Sequence, residues 1–136
     1  MHLFGDLLAV LALSATFGGM VFFAVVVTPL VFGTLSPEDA RVFTRVAFPR
    51  YYRYIAIASG LATLGFLLHA EVFLMSLPIL VLVSTLWLWM LWLPHLNDLR
   101  EAGDHTGFMR GHRVSVLVNI GAVMLTLIAL VVMFLR

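Results

Sequence analysis

Four long apolar stretches constrain this chain more than any other feature. They cover residues 3–35, 51–70, 72–97 and 114–135, and an α-helix needs roughly 20 mostly apolar residues to cross a bilayer. The chain is 62% hydrophobic and only 11% charged, whereas soluble domains carry about 25% charged residues. The sequence therefore predicts an all-α integral membrane protein: a single transmembrane domain, residues 1–136, with four helices running up, down, up and down.

The connection between the first two predicted spans has an amphipathic pattern. Ser36 suits an N-cap, and Pro37 suits the first helical position. The apolar residues then share one face, opposite two arginines: Val42, Phe43, Val46 and Ala47 against Arg41 and Arg45. This pattern predicts a helix over residues 37–48 that lies in the membrane interface and ends near Pro49.

Arginines predict the orientation, since the chain has no lysine. Seven lie in the two connections that share one side of the membrane, and one lies on the other side: Arg41, Arg45, Arg50, Arg53, Arg100, Arg110 and Arg113 against Arg136. Cytoplasmic loops carry the excess of basic residues. We therefore expect an inner (plasma) membrane protein with both arginine-bearing connections in the cytoplasm and both termini outside.

A polar stripe runs along the fourth predicted span. Its members recur at helical spacing: His112, Ser115, Asn119, Ala122 and Thr126. Polar side chains are costly in lipid, so the stripe should face protein, towards the third span. By the same reasoning, three further inward lines are expected: Ser14, Gly18, Val21, Val25 and Thr28; Ala56, Ser59, Gly60 and Thr63; and Ser84, Leu88, Leu91, His95 and Asp98.

The polar residues are concentrated at the cytoplasmic side, which makes that side the candidate site. Six residues are candidate contacts for a small ligand: Arg50, Tyr54, Asp98, Arg100, Ser115 and Asn119. His95 and His112 are candidate metal ligands, because imidazole suits copper, zinc and haem iron. The alternative interpretation is that these residues form a polar seam that sets helix packing.

Three functions remain open on these residues, and none requires catalysis. The chain has no P-loop, dinucleotide fingerprint, HExxH motif or serine-nucleophile pattern, which favours a non-enzymatic protein. The first hypothesis is binding or transport of a small ligand or metal ion, with an oligomer supplying any larger path. The second is a membrane accessory or assembly subunit, and the third is a haem-binding redox protein. The expected partner common to all three is the lipid bilayer, and nucleic acid is not expected.

The chain also resembles a family of small membrane proteins related to human transmembrane protein 205, which in bacteria is mostly a domain of unknown function. The resemblance lies in GGMVFFAVVVTPLVF, FPRYYRY, PHLNDLR and FMRGHRVSVLVN, in that order. It implies four helices, and the link of the eukaryotic relative with metallodrug resistance suggests export or trafficking. It emphasises these positions: Pro29, Pro49, Pro94, Arg100, His112, Ser115 and Asn119. More distantly, the layout is similar to copper-resistance membrane proteins and to four-helix haem-biosynthetic oxidases.

Overall fold

A computed structural model describes residues 2–68 and 71–135 and contains four long helices. We label them α1 (residues 2–34), α2 (Pro37–Leu68), α3 (Val72–Glu101) and α4 (His105–Phe134). Each is long and apolar enough to cross a membrane, and the described residues form no strand. The predicted all-α four-helix architecture is confirmed, while the predicted end of the second span at residue 70 lies outside the described residues.

The helices pack as a square in which each touches its neighbours along the chain. α2 lies between α1 and α3, and α4 closes the square by packing on α3 and α1. One buried cluster lies near the end where α2 meets α3 and includes Ala9, Leu13 and Phe66. A second, nearer the middle, contains Met20, Ile55, Val81 and Ala122, one from each helix. The core therefore consists of two buried clusters at different depths along the bundle axis.

The predicted interfacial helix is corrected by the structure. Residues 37–48 are the first turns of α2, which continues through Pro49 as one helix of 32 residues. At about 1.5 Å per residue this helix exceeds the roughly 30 Å of hydrocarbon by several turns. The amphipathic segment is thus an extension of a spanning helix. α3 and α4 also extend further, to Glu101 and from His105.

Two π-helical turns interrupt the parallel helices α1 and α3. They cover Phe23–Val27 and Leu88–Trp92. One residue separates each turn from the proline that follows it, Pro29 or Pro94. Proline lacks an N–H and its ring clashes with the carbonyl four residues earlier. In both helices the backbone N–H of the residue before the proline donates to the carbonyl five residues earlier. Thr28 donates to Phe23, and Leu93 donates to Leu88. The widened turn accommodates each proline without ending the helix.

The chain forms two helical hairpins, α1–α2 and α3–α4, which contain the same elements in the same order although the sequence shows no repeat. In each, a π turn, a proline and a tight connection precede a long return helix. Tyr51 in α2 and Asn119 in α4 occupy the same position relative to the start of their helices. The structure thus shows a two-hairpin organisation that the sequence pattern did not indicate.

The inward faces of α2 and α4 are those predicted. Ser115, Ala122 and Thr126 are buried in α4, as are Ala56 and Ser59 in α2. His112, at the arginine-rich end of the predicted α4 stripe, is exposed, so the prediction that it faces inward is wrong.

The predicted inward lines of α1 and α3 are wrong. In α1, Ser14, Gly18 and Val25 are exposed, and the inward residues include Leu13, Thr16 and Met20. Apolar and small residues are tolerated towards lipid as well as towards protein, so their spacing alone did not select a face.

In α3 the π turn explains the error. Leu88 is buried as expected, but Leu91, His95 and Asp98 are exposed and the inward line continues through Leu96. The extra residue in the π turn rotates everything after Leu88 relative to a regular helix.

Close approach of α1 and α2 depends on Gly65. A Cβ added there would lie 2.6 Å from the backbone nitrogen of Ala9. We expect Gly65→Ala to destabilise the bundle by about 1–3 kcal/mol, the usual cost of overpacking. SDS-induced unfolding followed by circular dichroism would measure this.

Gly60→Ala is the matched control in the same helix, because its Cβ would meet nothing within 4 Å. We expect its stability to be equal to or above that of the wild type. Equal stability of the two variants would contradict the close α1–α2 approach at Gly65.

Candidate functional site

A hydrogen bond inside the bundle links the diagonally opposed helices α2 and α4. The Tyr51 hydroxyl donates to Oδ1 of Asn119 at 3.3 Å. Nδ2 of Asn119 donates to the Ser115 carbonyl at 2.8 Å. The Tyr51 ring packs on Phe23 in the π turn of α1, with centroids 4.4 Å apart. Asn119 therefore ties the two hairpins together.

Four other buried hydroxyls bond within their own helices. Thr16, Ser59, Ser115 and Thr126 each donate to a carbonyl one turn earlier, on Ala12, Ile55, Gly111 and Ala122 respectively. Such bonds satisfy a polar group without a partner from another helix. The hydrogen bonds of Ser115 and Asn119 to their own helix are compatible with a polar packing seam, and a ligand contact at either residue stays a prediction.

The two candidate metal ligands contact different aromatic rings. His95 lies against Trp92, with ring centroids 5.3 Å apart, and His112 lies against Phe108 at 6.1 Å. Both side chains are exposed. Within the described ranges, no three His, Cys, Asp or Glu side chains are arranged to hold a metal ion. A site using the two histidines stays a prediction.

Arg50 and Tyr54 lie apart from the other candidate residues. The Arg50 guanidinium donates to the Val46 carbonyl of its own helix at 3.0 Å. The Tyr54 hydroxyl donates to the Ala15 carbonyl of α1 at 2.9 Å, and its ring borders an apolar groove on the outer α1–α2 face. Asp98 is exposed on α3. Neither Arg50 nor Tyr54 lines a cavity together with another candidate residue in the described part of the chain, and their role as ligand contacts stays a prediction.

A cleft of about 430 Å³ opens at the arginine-rich end of the bundle. It lies between the end of α1, the start of α2 and the α3–α4 turn. Its polar walls are formed by Arg41, Thr44, Arg100 and His105, and its apolar walls include Phe32 and Phe108. We call this feature the cytoplasmic cleft, after the predicted orientation. Arg100 is the one predicted site residue that it contains.

Two capped turns shape the cytoplasmic cleft. α3 ends in a Schellman motif: Asp104 N–H bonds the Leu99 carbonyl and Gly103 N–H the Arg100 carbonyl, at 3.0 and 3.2 Å. Gly103 has φ of 73°, a left-handed conformation that glycine adopts without strain. The Asp104 carboxylate then caps α4 by accepting from Gly107 N–H at 2.9 Å.

At the start of α2, Oγ of Ser36 accepts from Asp39 N–H at 3.1 Å and donates to the Asp39 carboxylate at 2.7 Å. These local bonds fix the ends of the two helices that carry Arg41 and Arg100.

The cytoplasmic cleft is electropositive because its two arginines have no acidic partner among the residues that the structure describes. Arg45 pairs with Glu101 at 2.9 Å outside the lining. In the described part of the chain, neither Arg41 nor Arg100 pairs with a carboxylate, and no carboxylate lines the cleft. Arg100 instead lies over the Phe108 ring, 4.3 Å from its centroid. Two cations from different helices thus face one space, which suits an anionic group.

Sequence reasoning missed Arg41, Thr44, His105 and Phe108 as members of one site. It placed Arg41 on the solvent side of a separate helix, which gave it no neighbour. One signal was available, because Arg41 and Arg100 lie near helix ends on the same predicted side of the membrane. The two arginines are far apart in the chain, so the sequence did not indicate that they line one cleft. Their proximity depends on how α2 packs beside the α3–α4 turn.

The fold and this cleft define a small four-helix membrane protein with a basic pocket at one end. The chain belongs to the family described as "Domain of unknown function (DUF4149)", whose sequence model matches residues 11–105. The match includes Arg41, Thr44 and Arg100 and ends at His105, so Ser115 and Asn119 lie beyond it. Neither a curated protein nor a solved structure matches the chain significantly.

The hydrogen bond between Tyr51 and Asn119 can be measured with a double-mutant cycle. We expect Tyr51→Phe and Asn119→Ala to couple by about 0.6 kcal/mol, and by no more than about 1.7, since bonds between membrane helices fall in this range. The readout is the free energy of unfolding in mixed micelles.

Tyr54→Phe with Asn119→Ala is the control cycle. Its two changes should be additive, because the Tyr54 hydroxyl binds Ala15 on another face of α2. Zero coupling in the Tyr51 cycle would contradict the bridge between the hairpins.

Proposed function

We propose that this protein binds a small anionic group, phosphate or carboxylate, in the cytoplasmic cleft. One observation carries the proposal: Arg41 from α2 and Arg100 from α3 line the same cleft with no carboxylate partner among the described residues. Guanidinium groups bind carboxylate and phosphate through paired, charge-assisted hydrogen bonds. The Thr44 hydroxyl and the His105 imidazole lie in the same lining and add polar contacts.

Binding is favoured over passage through one copy of the bundle. The interior contains packed side chains, and the buried hydroxyls of Thr16 and Thr126 bond carbonyls of their own helices. Transport would require an oligomer or a different conformation. The proposed kinship with the transmembrane protein 205 family, and its link to export, would place the same cleft at the loading end of such a path.

An accessory role is the second candidate function, favoured by the surface of the α2 extension. Val42, Phe43 and Val46 are exposed there although they are apolar. They could hold a partner subunit at the membrane surface.

Orientation is also part of the proposal: both arginine-bearing turns face the cytoplasm and both termini face outside. Because the chain has no cysteine, single-cysteine variants give a clean test. A membrane-impermeant maleimide should label Val72→Cys in intact cells and Thr106→Cys only after permeabilisation. Both positions are exposed, so reversed labelling would overturn the orientation.

Anion binding can be measured as thermal stabilisation of the detergent-purified protein by inorganic phosphate. A phosphate concentration ten times Kd should add about 1.4 kcal/mol to the stability of the folded state. Arg41→Gln and Arg100→Gln should each weaken binding about tenfold or more, because a hydrogen bond to a charged group contributes about 1.5–3 kcal/mol.

Arg110→Gln is the matched control, because Arg110 is exposed at the same end of the bundle and outside the cleft lining. It removes the same charge and should leave phosphate binding within about twofold of the wild type, since exposed charges are screened by salt. An equal loss in all three variants would indicate general charge attraction and overturn the proposed cleft.

A further inference from the structure

The position of the cytoplasmic cleft along the bundle axis indicates which molecules can enter it. Phe32 and Leu35 border the cleft at the end of α1, and the apolar stretch of that helix runs up to them. Phe32 is 62% exposed and is therefore accessible to lipid beside the cleft. Arg41 and Arg100 line the same cleft. The cleft therefore lies where hydrocarbon gives way to lipid headgroups.

The start of α2 gives the cleft one apolar flank and one basic flank. Ala40 and Thr44 line the cleft from one helix face. At about 100° per residue, Arg41 lies to one side of that face and Phe43 to the other. Phe43 is 42% exposed, and Arg41 lines the cleft. A molecule with an anionic head and an apolar tail complements both flanks, whereas a free anion uses only one.

The volume of the cleft fits a headgroup better than a whole lipid. About 430 Å³ is near the lower end of the roughly 300–1,000 Å³ of small-molecule pockets. A phosphodiester and its glycerol would fill the polar part, and the acyl chains would remain outside, along Phe32 and the exposed Leu30.

We infer that the cytoplasmic cleft is a binding site for the phosphate of an anionic phospholipid, held between Arg41 and Arg100 with its acyl chains against Phe32. This inference rests on the proposed function and names the source of the anion. Phosphatidylglycerol is the simplest probe, because it carries one phosphate charge and no compensating cation. Phosphatidylcholine has the same phosphate with a cationic headgroup, which the two arginines would repel.

The test is native mass spectrometry of the delipidated full chain in detergent, titrated with phosphatidylglycerol, phosphatidylcholine or soluble glycerol 3-phosphate. We expect one retained phosphatidylglycerol per chain, at least tenfold tighter than phosphatidylcholine. Arg41→Gln/Arg100→Gln should weaken phosphatidylglycerol binding by at least tenfold, and Arg110→Gln should leave it within about twofold.

Phe32→Ser separates the lipid from a soluble anion. Its side chain is largely exposed, so the fold should persist, as circular dichroism would verify. The variant should weaken phosphatidylglycerol binding while glycerol 3-phosphate binding stays unchanged.

Two results would overturn the lipid inference and leave the proposed function standing. One is glycerol 3-phosphate binding as tightly as phosphatidylglycerol, with no effect of Phe32→Ser. The other is equal retention of phosphatidylglycerol and phosphatidylcholine beside arginine-dependent binding of glycerol 3-phosphate. Failure of both phosphatidylglycerol and glycerol 3-phosphate to bind would overturn the inference together with the proposed function.

Discussion

Satisfying backbone and side-chain polar groups without water is the constraint on which the rest of this structure depends. In the hydrocarbon core an unbonded N–H or carbonyl is costly, so the spanning segments are helical. The same constraint shapes the details. The π turns keep helices α1 and α3 hydrogen-bonded ahead of Pro29 and Pro94, and the buried hydroxyls of Thr16 and Thr126 return to their own helices. Helix association then relies on close packing, as at Gly65, and on a few bonds between helices.

The bond between Tyr51 and Asn119 gives the bundle its internal organisation. It joins two hairpins that share the same order of π turn, proline, tight connection and long return helix. Phe23, in the π turn of α1, packs on the Tyr51 ring. The π turn that precedes Pro29 therefore also contacts the residue that bridges α2 and α4. The polar side chains of this layer therefore find hydrogen-bond partners within the bundle itself.

The cytoplasmic cleft differs from that interior because its two arginines have no carboxylate partner among residues 2–68 and 71–135. Glu101 pairs with Arg45, the Asp39 carboxylate accepts from the Ser36 hydroxyl, and the Asp104 carboxylate caps α4. These local bonds occupy nearby acidic groups and leave Arg41 and Arg100 available to an anion. The sequence pattern predicted Arg100 as a site residue, but it did not indicate that Arg41 lines the same cleft. It also aligned His95 and Asp98 with the interior, because a π turn changes the phase of a helix and apolar periodicity does not reveal one.

The sequence by itself determined the membrane environment, the four spanning helices and the inward stripe of α4. These follow from long apolar runs and from the cost of polar groups in lipid, which are properties of local composition and spacing. Tertiary structure alone decided which faces of α1 and α3 turn inward and that α2 continues through Pro49. It also decided that Arg41 and Arg100 line the same cleft. Those outcomes depend on contacts between residues distant in the chain and on an extra residue within a helical turn. Neither leaves a periodic signal along a single sequence.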